Sequence, residues 1–302
     1  MEVRVLRYAL EIYRQKSFTK AANRLHIAQP SLSQQIGKLE KELGVTLFYR
    51  TRNEVEATPE GLQFMKRAEK IVRAHDDLLR EMKDHKEGIG STLTIGTPAV
   101  TGGYVLPPLI QMYLERYPQV EIKLVEETPA KLEQLILEGK VDLAVLSLPV
   151  ENEKITTHTM VTEPLFLAVP RKEQSWMPEK LRNVVRHAGK KAYQTRSVPI
   201  GDVQEAPFIL LKEEYGFRRI VLDLCAEAGF QPNVHFLTSN METAQSFVVS
   251  GLGVTIVPLM VTRERTDMLY LPLEGKPTRT LVFAYREDRY LSNVARTFMD
   301  TY

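Results

Sequence analysis

Ser17-Phe18-Thr19-Lys20-Ala21-Ala22-Asn23-Arg24-Leu25-His26-Ile27-Ala28-Gln29-Pro30-Ser31-Leu32-Ser33-Gln34-Gln35-Ile36-Gly37-Lys38-Leu39-Glu40-Lys41-Glu42 carries two helical periods separated by a short break. Phe18, Ala21, Ala22 and Leu25 recur at helical spacing, as do Leu32, Ile36, Leu39 and Leu43, so two amphipathic helices meet across His26-Ile27-Ala28. Ser17 can cap the first helix. Pro30 belongs in the opening turn of the second, where its missing N–H has no intrahelical partner to lose, and this sets the start at about Ala28 or Gln29. The small Ala21 and Ala22 allow close approach, and Ile27 plugs the crossing, which predicts a helix-turn-helix. The outer face of the second helix then presents Gln29, Ser31, Ser33, Gln34 and Lys38. Short neutral donors and acceptors suit base edges in a major groove, whereas a merely solvated face more often carries Glu and Lys pairs. An ordinary helical hairpin with a polar outside is the competing reading of these residues alone.

Working outward, Thr46 to Ala57 reads as two short extended runs around a polar tip, a hairpin wing from which Arg50 and Arg52 could meet phosphates or a minor groove. Upstream, Leu6, Ala9, Leu10 and Tyr13 share one face of a first helix that braces the motif. Downstream, Thr58-Pro59-Glu60 is a cap, first-position proline and first-turn acid in succession, and it opens a long helix. Leu62, Met65, Ile71 with Val72, Leu78 with Leu79, and Met82 form its apolar stripe, which runs to Gly88-Ile89-Gly90. A helix this long and one-sided calls for a partner: a second subunit, or the chain's own remaining domain.

Phe18-Thr19-Lys20-Ala21-Ala22, Leu25, Gln29-Pro30-Ser31-Leu32-Ser33, Ile36, Leu39-Glu40, Leu43-Gly44, Leu47-Phe48, Arg50, Thr58 and Gly61 together resemble the LysR-type transcriptional regulators. The resemblance implies α/β architecture with a helix-rich N-terminus: a winged helix-turn-helix over 1–58, a linker and dimerisation helix over 59–90, and an effector domain over 91–302. That last part is expected to be two-lobed like a periplasmic binding protein, lobe I being about 91–165 with 268–302 and lobe II about 166–267. Thr19, Lys20 and Pro30 join the expected DNA contacts on this basis. Ala28 stands where the family often has a capping serine, Gln34 where a basic residue is common, and Asn53-Glu54 where the wing tip is often Arg-Gly.

Composition fits. The 302 residues are 43% apolar and 26% charged, enough for two or three globular domains. Residues 1–87 hold 17 Lys and Arg against 13 Asp and Glu, which leaves 23 against 25 for the remainder, so the basic excess is N-terminal. Charges throughout the first thirty residues leave no room for a secretory segment, and the longest weakly polar run, Phe247 to Val261, is too short and broken to span a bilayer. The expectation is a cytoplasmic protein with no membrane association. The one cysteine, Cys225, lies in an apolar helical pattern and reads as a packing residue.

From Thr92 strand and helix alternate: strands Thr92–Gly96, Val120–Val125 and Asp142–Leu146, with helices Tyr104–Arg116 and Lys131–Glu138 between them, predict βαβ units on a parallel sheet. Glu163 to Pro170 reads as a strand crossing into a second lobe, and Arg279 to Tyr285 with the helix Leu291–Met299 as the return. Arg171 to Glu205 is the least legible segment, with a helix over Glu179–His187 and a basic Lys190-Lys191. A cleft between such lobes binds small ligands where strand ends and helix N-termini converge. Thr97, Ala99 and Thr101, in a loop with Gly102-Gly103, and Ser147 at the next strand end are the first candidates; Arg218, Asn240 and Thr243 are candidates for the opposite wall. Each has an ordinary capping or solvated alternative.

No phosphate-cradling glycine loop, zinc-protease motif, CxxC pair or nucleophile elbow occurs, and the six histidines show no ligand spacing, so neither catalysis, a metal nor a cofactor is expected. The expected partners are a double-stranded promoter operator, a small effector that is an anion or polar metabolite, further copies of the chain as dimer or tetramer, and RNA polymerase as a possible addition. A two-lobed solute-binding protein without a DNA role is the alternative from another class.

Overall fold

The computed structural model describes residues 1–50, 55–87, 92–188, 197–262 and 266–302. Two compact units result, Met1–Glu87 and Gly88–Tyr302.

In the first unit, α1 (Val3–Gln15), α2 (Phe18–Arg24) and α3 (Gln29–Leu43) are followed by the wing strands β1 (Phe48–Arg50) and β2 (Val55–Ala57) and by α4 (Pro59–Glu87). The Ser17 hydroxyl accepts from Lys20 N and caps α2. Ala28 occupies the corresponding place before α3 and supplies no side-chain cap. His26 and Gly44 adopt positive φ, turning the chain between the helices and at the end of α3. The core holds Leu6, Ala9, Leu10, Phe18, Ala21, Ala22, Leu32, Ile36 and Leu39, with Ile27 partly buried against it. Two expectations fail at the edges. Tyr13 and Leu43 are exposed, and Ile12 is buried instead of Tyr13, because α1 packs on α4 as well as on α2 and α3 and buries Val5, Ala9 and Ile12 along with Leu6 and Leu10.

Helix α4 also divides differently. Met65, Ala68 and Val72 are buried in this core, whereas Leu62, Ile71, Leu78, Leu79 and Met82 are exposed. The single stripe read from the sequence is therefore two neighbouring faces, one spent on the first unit and one open. The Thr58 hydroxyl accepts from Gly61 N at the start of α4 and donates to Thr46 O. A Cβ at Gly61 would lie 2.1 Å from Leu47 O, so this glycine is required by close approach of two backbones. Glu40 accepts from Leu47 N and Phe48 N, fixing the wing to α3.

The second unit runs β3 (Thr92–Thr97), α5 (Ala99–Arg116), β4 (Glu121–Glu126), α6 (Pro129–Glu138), β5 (Leu143–Ser147), β6 (Ile155–Pro170), α7 (Glu179–His187), β7 (Pro207–Leu211), α8 (Gly216–Glu227), β8 (Asn233–Thr238), α9 (Met241–Val249), β9 (Thr255–Pro258), β10 (Met268–Pro272), β11 (Thr278–Arg286) and α10 (Asn293–Met299). The main sheet has the order β10-β6-β11-β5-β3-β4, with β9 also on β6. Strands β3, β4 and β5 are parallel, as βαβ units require, but β11 is antiparallel to both β5 and β6, so the sheet is mixed and not wholly parallel as expected.

Strand β6 serves both lobes. Its first half pairs with β11 and its second half with β9 and β10. One core contains Leu93, Ile95, Tyr113, Val145, Phe283 and Phe298, and another contains Leu167, Phe208, Leu210, Val221, Ile256 and Tyr270. Met268 to Leu271 and Leu273 belong to the latter, so the chain regains the first lobe with β11 and not at residue 268, where the sequence reading placed the return. Helix α7 forms as expected within the segment 171–205; its Leu181 and Val185 close the second core, while Lys190-Lys191 lies outside the described residues. Among the described residues no helix is long and apolar enough to cross a membrane.

Candidate DNA-reading surface and effector cleft

On α3, burial of Leu32, Ile36 and Leu39 turns the opposite side outward, and Gln29, Pro30, Ser31, Gln34 and Lys38 are exposed with Ser33 half-buried at the margin. Thr19 and Lys20, in the first turn of α2, are exposed as well. Gly37, not foreseen from the sequence, lies on this outward side with nothing within 4 Å of the place a Cβ would occupy. Packing therefore does not demand glycine there, and a helix-interior glycine costs roughly 1 kcal/mol relative to alanine. An open glycine among short polar side chains lets another molecule's backbone come close to the helix. Arg50 ends strand β1, and Arg52 lies outside the described residues.

In the second unit a cavity of about 530 Å³ opens between the lobes. The first lobe lines it with Pro98, Val100 and Thr101 from the start of α5, with Pro129, Glu133 and Leu137 of α6, and with Ser147 to Pro149 from the end of β5 onward. The second lobe contributes Leu211 at the end of β7, Glu213 to Phe217 leading into α8, and Met241 opening α9. Thr101 and Ser147 are thus brought together as expected. Thr97 is not: it is buried, and its hydroxyl donates to Pro98 O. Ala99 is exposed and absent from the lining. The loop foreseen around them is the first turn of α5, which begins five residues earlier than expected, and Gly102 N is already bonded to Pro98 O. Its amide is therefore unavailable to a ligand.

On the far wall the capping alternative holds for Asn240, whose side chain accepts from Glu242 N and Thr243 N, and Thr243 is exposed away from the lining. Arg218 stands beside the cavity without lining it, its Nη2 3.7 Å from Glu213 and its Nε and Nη1 buried without hydrogen-bond partners.

What sequence reasoning missed is the floor. Arg279 lines the cavity with only 3% of its side chain exposed, and its Nε donates to Glu163 Oε1 at 2.7 Å. Glu163 Oε2 accepts from Met260 N at 2.8 Å, Arg279 Nη2 meets the Met260 sulfur, and the guanidinium sits 5.4 Å above the Phe217 ring. Burial lowers the Arg279 pKa, and the neighbouring Glu163 carboxylate opposes that shift. These residues are direct cross-strand partners on β6 and β11, where the chain passes from one lobe to the other. A charge at a core-facing strand position in each of two strands was the available signal; their pairing was not.

A helix-turn-helix with an outward polar face, a wing, a long helix with a spare apolar side and a two-lobed α/β cleft together define a ligand-responsive DNA-binding regulator, and the chain belongs to the LysR family of DNA-binding transcriptional regulators. The bacterial regulatory helix-turn-helix family of the LysR type matches residues 3–62, and the LysR substrate binding domain matches residues 86–302. The uncharacterized HTH-type transcriptional regulator YcgK of Bacillus subtilis is 53% identical over 99% of this chain and 93% of its own length. The DNA-binding transcriptional dual regulator OxyR of Escherichia coli K12, whose counterpart in strain O6:H1 is called hydrogen peroxide-inducible genes activator, is 30% identical over 95% of this chain and 90% of its own length. A full-length OxyR variant from Pseudomonas aeruginosa has the same fold, with a TM-score of 0.69 at 25% identity, covering 100% of this chain and 94% of that one.

Proposed function

We propose that Gln29, Pro30, Ser31, Ser33, Gln34 and Lys38 of α3, with Thr19 and Lys20 of α2, enter the major groove of a promoter operator, while Arg50 and Arg52 meet phosphate or the minor groove. The observation that carries this reading is the outward side of α3, polar, exposed and open at Gly37. Division into a reading head over 1–58, a pairing helix over 59–90 and an effector domain over 91–302 follows, with dimers joined through α4 and assembling into tetramers. A small anion or polar metabolite between the lobes alters lobe closure and so the spacing of paired heads, shifting the population only by its differential affinity for the two arrangements. RNA polymerase is the partner through which a regulator held at a promoter acts.

The roles separate by experiment. Replacing Gln29 or Ser33 is expected to relax base preference at one position per half-site, at about 1–3 kcal/mol of discrimination. Replacing Arg50 or Arg52 should weaken all sequences alike and flatten the salt dependence by about one charge. Footprinting and titration at several salt concentrations distinguish the two classes; identical behaviour of both would remove the assignment.

Peroxide sensing does not carry over from the relatives' name. Cys225 is the one cysteine in the sequence; it is fully buried in α8, and burial pushes its thiol pKa up to about 11. Peroxide reacts with exposed thiolates, and this group stays a protonated, shielded thiol at neutral pH. Operator binding is expected to be unchanged by hydrogen peroxide, measured with and without reductant. A reversible change that disappears in Cys225→Ala would overturn this.

A further inference from the structure

We propose that the ligand of the interlobe cavity is a zwitterion of amino-acid type, its carboxylate drawn to Arg279, its ammonium held between Glu133 and Glu214, and its apolar part lying against Tyr215 and Phe217. The inference rests on the reading of this cavity as the effector site and narrows the chemical class that fills it.

Among the described residues two cations line the cavity, and one is already engaged: Arg219 is bound to Glu151 at 2.6 Å across the mouth. That leaves Arg279. Its Nε is used by Glu163, its Nη2 faces a sulfur, which is a weak acceptor, and Nη1 donates to no acceptor among the described residues. The outer edge of the guanidinium thus keeps donors in the fork geometry that matches a carboxylate. Stacking on Phe217 and anchorage to Glu163 hold the fork in place, so little ordering is lost on binding.

The more exposed part of the lining has the opposite sign. Glu213 lies 3.7 Å from Arg218, whereas Glu133 and Glu214 have no cationic partner among the described residues. They come from different lobes, Glu133 from α6 and Glu214 from the turn after β7, and the two helix starts approach so closely that a Cβ on Gly216 would lie 3.7 Å from Pro129 Cγ. A ligand carrying a second negative charge would meet these carboxylates; one carrying an ammonium would offset one of the two charges, bridge both groups and favour closure. Between floor and mouth the walls are apolar, with Val100, Leu148, Tyr215, Phe217 and Met241, which suits a hydrocarbon side chain better than a sugar.

The test is a thermal-shift and calorimetric titration of the full chain. Probes are the twenty L-amino acids, 4-methylpentanoate and 3-phenylpropanoate (acids without the amine), 3-methylbutylamine and 2-phenylethylamine (amines without the acid), adipate and glucose. At least one amino acid is expected to bind ten-fold or more tightly than its acid-only and amine-only counterparts. Glu133→Gln with Glu214→Gln should erase the advantage over the plain acid without changing the melting temperature of the unliganded chain, since neither side chain has a cationic partner among the described residues. Arg279→Lys should weaken amino acid and plain acid alike by ten-fold or more; if that variant melts early, the double glutamine variant decides alone. Equal or tighter binding of a plain acid, adipate or glucose would overturn the zwitterion and leave the cavity as the effector site. Silence across the whole panel would overturn both.

Discussion

Glu163→Gln is expected to destabilise the 88–302 unit by about 3–5 kcal/mol, the usual cost of stranding one half of a buried ion pair. The Arg279 side chain is 3% exposed and the Glu163 side chain 6%, so water replaces a lost partner only in part. Loss of the carboxylate also removes the acceptor for Met260 N, which ties the segment after β9 to the crossing strand. Denaturant unfolding checks the value, and the corresponding drop in melting temperature is about 10 °C for a unit of this size. Removing both charges should behave differently: Glu163→Met with Arg279→Leu leaves no stranded ion and is expected to lie within about 1–2 kcal/mol of the parent, on either side. That double variant should nevertheless lose its response to any carboxylate ligand. A single variant costing less than about 1 kcal/mol would mean that water reaches the pair and that it neither anchors the cleft floor nor ties the lobes.

The second large effect is on assembly. Ile71, Leu78 and Met82 follow one another at seven- and four-residue steps along α4 and are 44%, 53% and 51% exposed, a line of apolar surface that a soluble chain seldom leaves open. Leu78→Asp, placed at the middle of that line, is expected to convert dimers to monomers at micromolar concentration, as read by sedimentation velocity. Operator affinity should fall by roughly 10²–10⁴-fold, because two linked heads gain that much from effective concentration. Far-ultraviolet circular dichroism should hardly change, since the replaced side chain is exposed and belongs to no core among the described residues. A variant that remains dimeric with full affinity would transfer the pairing surface elsewhere.

Much of this protein was written in local pattern. Spacing of Phe18, Ala21 and Ala22 against Leu32, Ile36 and Leu39 yielded the helix-turn-helix, Thr58-Pro59-Glu60 yielded the start of α4, and strand–helix alternation after Thr92 yielded the βαβ units. Helix α7 was legible from its periodicity even though the segment around it was not. The outward polar face of α3 followed from the same periodicity, because burying one side of a helix determines the other. The misses at the cleft fall where one local signal has two readings, a ligand loop or a helix start. Thr97 to Gly103 looked like a glycine loop, yet packing of Gly102 against Thr97 continues the helix through it, and a Cβ there would lie 2.6 Å from Thr97 Cγ2. Asn240 looked like a ligand contact and is spent on its own helix.

By itself, then, the sequence determined the order and type of most of the elements, the family to which they belong and the polar surface offered by α3, all of which depend on neighbours within a few turns. Only the tertiary structure decided which apolar residues of α4 remain open, that β6 is shared by two lobes, and that Glu163 and Arg279, 116 positions apart, form the floor of one cavity. Partners that distant are brought together by strand pairing across the sheet, and a single chain of letters holds no record of which of its many charges will face one another.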